Sequence, residues 1–174
     1  MLRSALKFIA GAAIGVFLWS WCGPLYNELL ARAAEPIMRL DARLRNGEIA
    51  GAGPMINARG SEAQPDLPRI IIPADQLTYN VILLLGLFAT NPSAFRNRGI
   101  LRLAAVLAVL FLTHVLAVVV TVESTYATKL GPWSEAHYGA LEQDFWAAAE
   151  YAYRLAGMFG VAFACWWVTR GSRL

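Results

Sequence analysis

His114 is the residue whose position most clearly suggests chemistry, because it lies inside the apolar run 99–122. A charge at the centre of a membrane span costs about 3 kcal/mol, so an ionisable side chain there needs a structural or functional reason. Thr121 and Thr125 return to the same helical face, and Asn80 lies near the beginning of another apolar run. The predicted intramembrane polar site therefore consists of His114, Thr121, Thr125 and Asn80, with a neutral imidazole.

Two roles of His114 remain open from the sequence. It either makes an interhelical hydrogen bond or serves in catalysis, ligand binding or proton transfer. A metal site or a nucleophilic centre would need further groups at set spacings, and the chain has no HxxxH, HxxE or CxxC motif and no glycine-rich phosphate loop. We therefore assign no catalytic residue, no metal site and no cofactor, and the sequence favours a role other than that of an enzyme.

Two further groups of ionisable residues stand near the last apolar run. Glu150 and Arg154 are four positions apart, which predicts an ion pair near the membrane interface. The other group consists of His137, Glu135, Glu142 and Asp144. It is either a weak outer polar site or an ordinary solvated helix surface.

Four apolar runs must position these side chains, and they predict an all-α membrane protein with four transmembrane helices. The runs are 8–25, 76–95, 99–122 and 145–168. The 174-residue chain has 57% hydrophobic residues and a mean hydropathy of +0.47, so we expect a single membrane domain, 1–174. In the outer segment 26–75, an amphipathic helix over 26–45 precedes a small β-hairpin subdomain or a loop. The segment 123–144 is predicted to be an outer loop whose last part, from Glu135, begins the helix that runs into the fourth span.

Basic residues flank the apolar runs on one side of this topology. They are Arg3, Lys7, Arg96, Arg98, Arg102, Arg170 and Arg173. The positive-inside rule makes that side cytoplasmic, which predicts a multi-pass protein of the bacterial inner membrane with both termini in the cytoplasm. A cleaved signal peptide over the first 25 residues is the alternative, although the bulky Trp21 before Cys22 makes a poor processing site. The bases form no nucleic-acid surface, so nucleic acid is not expected as a partner.

Small residues predict where helices pack closely. Gly11 and Gly15 form a small-xxx-small pattern in the first span, and Gly157 and Gly160 thin one face of the fourth. In a lipid bilayer such faces allow backbones to approach each other. We expect them to serve contacts within the chain, with a larger membrane-protein partner, or in a homo-oligomer.

Three short segments carry a resemblance to a known group of proteins. They are 77–80 (Leu-Thr-Tyr-Asn), 113–116 (Thr-His-Val-Leu) and 123–127 (Glu-Ser-Thr-Tyr-Ala), with an arginine-rich turn between the first two. Over residues 77–127 the chain resembles small uncharacterised bacterial integral membrane proteins, some of which are associated with exosortase protein-sorting systems. The resemblance implies an accessory protein beside a sorting enzyme or an envelope-export machine. It does not extend to the Cys, Arg and His arrangement of the exosortase enzymes.

The sequence thus predicts an accessory or structural subunit of a larger bacterial inner-membrane assembly, in envelope protein sorting or export. The alternative is a small membrane-embedded enzyme or transporter component that uses His114. The lipid bilayer is the surrounding medium in both cases.

The predicted topology can be tested by cysteine labelling in a background where Cys22 and Cys165 are replaced by serine. A cysteine at Arg98 should react with an impermeant maleimide only after the inner membrane is permeabilised, whereas one at Gln64 should react in intact spheroplasts. The reverse accessibility would contradict the orientation.

Overall fold

The computed structural model describes residues 2–60, 66–91 and 97–171. A long helix, α1 (Leu2–Met38), precedes three strands, β1 (Gly47–Ala52), β2 (Met55–Gly60) and β3 (Ile70–Pro73). The helices that follow are α2 (Asp75–Thr78), α3 (Asn80–Ala89), α4 (Asn97–Thr128), α5 (Pro132–His137), α6 (Ala140–Ala152) and α7 (Met158–Gly171), with a π-helical segment (Tyr153–Gly157) joining the last two. Gln64, Arg96 and Arg173, which the sequence analysis used, lie outside the described residues.

Among the described residues, two helices are long and apolar enough to cross a membrane, α1 and the part Arg98–Thr128 of α4. The described residues do not support the predicted count of four transmembrane helices. The run 76–95 is divided at Tyr79, and α3 has only 10 residues, about 15 Å against a hydrocarbon core of about 30 Å. The run 145–168 is interrupted by the π-helical segment, which leaves 14 residues in α7.

One tertiary hydrogen bond joins the two places where these apolar runs are interrupted. The hydroxyl of Tyr153, the first residue of the π-helical segment, donates to the carbonyl of Leu77 in α2 at 2.8 Å. A carbonyl in a helix that ends at Thr78 lacks its usual donor four residues on, and the Tyr153 hydroxyl supplies one. Hydropathy does not record such a contact, so the sequence predicted two unbroken spans.

The predicted amphipathic helix over 26–45 is part of α1, which runs through Pro24 and Pro36 and ends at Met38. Its inner face remains buried along this length, because Leu30, Ala31 and Ala34 are fully inaccessible to solvent. Burial of that face stabilises the helix where each proline removes a backbone donor. The residues after Met38 form turns rather than the predicted last helical turns.

The predicted outer loop 123–144 is helical over most of its length, and not only from Glu135, where the sequence predicted a helix. Helix α4 continues to Thr128, since Glu123, Tyr126 and Ala127 are buried against other elements and stabilise the added turns. Two helices then follow, α5 and α6, with a break at Tyr138 and Gly139.

The outer segment contains an antiparallel sheet in the order β1-β2-β3, so the β-hairpin alternative is extended by a third strand. Side chains alternate across it: Ile56 and Ile72 face the core, and Met55 and Ile71 face outward. A tight turn joins β1 to β2 through Gly53, whose φ of +62° favours glycine. The sheet thus has one buried and one exposed face.

The sheet lies directly on α1 at Gly51. A Cβ atom at this position would lie 2.6 Å from the backbone of Glu28, so only glycine allows the strand to come this close. The Gly51 amide donates to Oε2 of Glu28 at 2.9 Å, and the Asn27 amide nitrogen donates to the Gly53 carbonyl at 2.8 Å.

Helix α1 also packs closely against α3. A Cβ at Gly11 would lie 2.5 Å from Ala89 Cβ and 2.9 Å from the Leu85 carbonyl oxygen, and one at Gly15 would lie 3.3 Å from Ile82. The first two predicted packing residues are thus used within the chain. A Cβ at Gly157 would meet the ring of Tyr153 in the same helical run at 2.9 Å, and one at Gly160 would have no atom within 4 Å among the described residues.

Alanine at Gly11 should destabilise the protein, because its methyl group meets backbone atoms of α3 that cannot move separately. Overpacking of this kind costs about 1–3 kcal/mol, and an opposing gain of up to about 1 kcal/mol comes from the higher helix propensity of alanine. Gly160→Ala is the matched control with the same propensity gain and open space. Thermal unfolding in detergent should give a lower midpoint for Gly11→Ala than for Gly160→Ala; equal midpoints would contradict the packing.

Candidate functional site

His114 lies fully buried in the middle of α4, with a hydrogen-bond partner at each ring nitrogen. Its Nε2 is 2.6 Å from Oδ1 of Asn80, the first residue of α3. Its Nδ1 is 2.7 Å from the hydroxyl of Tyr26 on α1. The imidazole therefore connects three helices through side chains that are distant in sequence.

Asn80 fixes the tautomer of this histidine. The Asn80 amide nitrogen donates to the carbonyl of Met158 at 2.7 Å, and because a carbonyl can only accept, the amide oxygen must face His114. Nε2 of His114 therefore carries the hydrogen and donates to Asn80, while Nδ1 accepts from the Tyr26 hydroxyl. We call Tyr26, His114, Asn80 and the Met158 carbonyl the His114 network; it joins α1, α4, α3 and α7.

Aromatic rings surround the Tyr26 end of the network. The Tyr26 ring meets those of Trp19, Phe111 and His114 edge-on, with centroids 5.1, 5.7 and 5.9 Å away. Edge-to-face packing of this kind orients a ring, and here it directs the hydroxyl to Nδ1. The same rings place apolar surface around a short chain of polar atoms.

The predicted polar site is therefore assembled only in part. His114 and Asn80 are in contact, but the Thr125 hydroxyl donates to the Thr121 carbonyl at 2.7 Å within α4 rather than to the histidine. Serine and threonine often make this bond in helices. Sequence reasoning missed Tyr26, since periodicity within one helix gives no information on contacts 88 positions apart.

A second polar cluster lies where α4, α5 and α6 meet the turn after α1. Glu123 is buried and accepts from the Tyr138 hydroxyl at 3.0 Å, and the Arg43 guanidinium lies 3.9 Å above the Tyr138 ring. Arg43 also donates to Asp41 at 2.8 Å and to Glu142 at 3.1 Å. Of these residues, the sequence analysis had considered only Glu142 for an outer site.

The carboxyl groups that bind Arg43 titrate at lower pH than usual. Burial alone would raise the pKa of Asp41, but hydrogen bonds from Arg43 outweigh it and lower the pKa below its ordinary value. The exposed Glu142 has a lowered pKa because of hydrogen bonds from Arg43 and from the Gly139 amide. Both groups are therefore ionised at neutral pH, and the cluster holds together the turn, α5 and α6.

Glu150 has more partners than the predicted pair. Arg154 contacts one carboxylate oxygen at 2.8 Å, while Lys129 and the Ser124 hydroxyl contact the other at 2.8 and 2.7 Å. The carboxylate thus connects α6 to the end of α4. Ser124 and Lys129 lie 26 and 21 positions before Glu150 in the chain, so helical spacing alone did not indicate them.

In the predicted outer group, His137 and Glu142 bind different partners. Nδ1 of His137 donates to the Trp133 carbonyl at 2.7 Å, and its ring stacks on that tryptophan with centroids 4.2 Å apart. Glu142 is bound to Arg43 instead. Over residues 2–60, 66–91 and 97–171, no three His, Cys, Asp or Glu side chains are grouped so that they could hold a metal ion.

Comparisons with protein-family models, with curated proteins and with solved structures found no match to this chain.

The tautomers of the two histidines provide a direct test of the His114 network. With ¹⁵N-labelled histidine in detergent micelles, His114 should give the NMR pattern of a neutral ring protonated at Nε2. His137 should be protonated at Nδ1 when neutral, because Nδ1 faces a carbonyl. His114→Gln assigns the signals. A His114 ring protonated at Nδ1 alone, or charged at neutral pH, would be inconsistent with the network.

Proposed function

We propose that this chain is an accessory or structural subunit of a larger assembly in the bacterial inner membrane, acting in envelope protein sorting or export. The observation that carries the proposal is that both ring nitrogens of His114 are used in bonds between helices. A general base or a proton carrier needs a nitrogen that can reach its substrate. The one histidine within the helical core instead serves to hold the helices together.

In the proposed topology the chain crosses the membrane four times, with both termini in the cytoplasm. Helices α1 and α4 cross as single elements, α2 and α3 form one broken crossing, and residues 145–168, which include the π-helical segment, form another. The Tyr26–His114 contact supports a common starting side for α1 and α4. Tyr26 lies about 28 Å along its helix from Lys7, and His114 lies about 24 Å along its helix from Arg98.

The exposed face of the sheet is the proposed partner surface. Gly11 and Gly15 are occupied by α3, so the small-residue face of α1 is already used within the chain. Met55 and Ile71 lie on the outward face of adjacent strands and are 39% and 58% exposed. Apolar residues that project from a sheet outside the bilayer fit contact with a protein partner.

Quantitative co-purification tests this function. The affinity-tagged chain, expressed from its own promoter and extracted in mild detergent, should retain a membrane-protein partner in a fixed molar ratio. Ile71→Glu should lower the recovered partner at least about tenfold, because a charge in an apolar contact costs more than about 1.4 kcal/mol of binding free energy. Leu40→Glu makes the same change at a position outside the sheet that is 82% exposed, and recovery should be unchanged.

His114→Gln distinguishes this role from the alternative of a small enzyme or transporter component. Glutamine has both a donor and an acceptor, so the helices and the partner should be retained. Normal assembly with loss of the sorting or export phenotype would favour the alternative. Recovery of only a homo-oligomer would replace the larger partner with a second copy of this chain.

A further inference from the structure

A groove of about 330 Å³ lies between α4 and α7, close to the beginning of α4 and the end of α7. Its apolar walls are formed by Ala105, Val106 and Val109 of α4 and by Ala164, Cys165 and Val168 of α7. Val106 is buried, whereas Val109 and Val168 are 47% and 66% exposed. The groove is therefore open along its length to the surroundings of the protein, and the two alanines leave it wide enough for a chain of atoms.

The polar side chains of the described lining stand at one end of this groove. Arg102 precedes Val109 by about 10 Å along α4, and its Nη1 donates across the groove to the Thr169 carbonyl at 3.5 Å. The Thr169 hydroxyl donates within α7, to the Cys165 carbonyl at 2.9 Å. A guanidinium has five N–H donors, so Arg102 can hold the Thr169 carbonyl and bind an anion at the same time. The groove thus has a cationic end and an apolar length.

The cationic end lies at the depth of the lipid headgroups. Helix α4 has 32 residues and is about 48 Å long, against about 40–45 Å for a bilayer with its headgroups. Arg102 is about 7.5 Å from the beginning of α4, and Thr169 is two residues from the last residue of α7. The apolar length of the groove therefore leads from the headgroup layer towards the bilayer centre. This step rests on the proposed crossing of the bilayer by α4 and α7 and not on the proposed partner.

The charges around this end favour an anion. All 12 acidic residues of the chain lie within 28–75 and 123–150, and Glu123, the first of them on α4, is about 31 Å along the helix from Arg102. Arg98 is exposed one helical turn before Arg102, so a second guanidinium lies on the same side of α4. A choline or ethanolamine headgroup would place its own cation beside these two arginines.

From these observations we infer that the groove between α4 and α7 binds an anionic phospholipid, with an acyl chain along the apolar walls and the phosphate on Arg102. A guanidinium binds phosphate oxygens through paired N–H donors. Basic sites between transmembrane helices on the cytoplasmic side suit such headgroups. A helix is about 10 Å across and would fill about 800 Å³ over this length, so a single hydrocarbon chain fits the groove and a helix does not.

The two cysteines of the chain provide a local test, because Cys165 lies in the groove and Cys22 is exposed on α1. The full chain in a maltoside detergent is alkylated with N-ethylmaleimide, and peptide mass spectrometry gives the rate at each cysteine. Phosphatidylglycerol should protect Cys165 in a saturable way, at about tenfold lower mole fraction than phosphatidylcholine with the same acyl chains, as expected for a charged hydrogen bond. The rate at Cys22 should not differ between the two lipids.

Two pairs of variants locate the bound lipid. Arg102→Gln should raise the mole fraction of phosphatidylglycerol needed for half-protection about tenfold, while Lys7→Gln, which removes an exposed base on α1, should leave it unchanged. Ala105→Phe fills the groove and should abolish the effect of lipid on the Cys165 rate. Ala108→Phe makes the same change outside the groove on α4 and should retain that effect.

Three results would overturn the inference. Equal protection by the two lipids, or a preference for phosphatidylglycerol that persists in Arg102→Gln, would show that Arg102 does not bind the phosphate. Full protection by glycerol 1-phosphate, which has no acyl chain, would assign the groove to a soluble anion. The absence of any lipid effect on Cys165 would show that the groove holds no lipid. Partner recovery with Ile71→Glu is measured separately, so failure of the lipid site and failure of the proposed function can be told apart.

Discussion

The structure depends on a rule of solvation: a polar side chain withdrawn from water must find its hydrogen-bond partners inside the protein. His114 can donate once and accept once in its neutral form, and it finds an acceptor in Asn80 and a donor in Tyr26. Apolar contacts tolerate small sliding movements between helices, whereas hydrogen bonds of 2.6 and 2.7 Å do not. The histidine therefore sets the register of α1 and α3 against α4.

The breaks in the helices are what make this register possible. The end of α2 at Thr78 and the division at Tyr79 place Asn80 at the start of α3, and the π-helical segment ends immediately before Met158, whose carbonyl receives the Asn80 amide. π-Helical turns within α-helices frequently mark functional positions. Here the segment lies beside the network, so the local departure from the α-helix has a structural use.

The sequence predicted the apolar helices, a β-hairpin as one of two alternatives for the outer segment, and the polar character of His114 and Asn80, because each depends on local composition or periodicity. Tyr26 and Glu123 could not be assigned, since their roles arise from contacts with residues far away in the chain. The same dependence on distant contacts explains why the sequence predicted four unbroken spans. Hydropathy measures how apolar a run is, but the Tyr153–Leu77 bond accompanies the breaks in two of them.

Three consecutive residues of α1 connect the helical core to the sheet. Successive side chains on an α-helix point about 100° apart, and Tyr26, Asn27 and Glu28 accordingly contact His114, the Gly53 carbonyl and the Gly51 amide. A single helical turn is thus shared by the His114 network and the sheet. Because Pro24 removes a backbone bond just before this turn, its position depends on these three contacts.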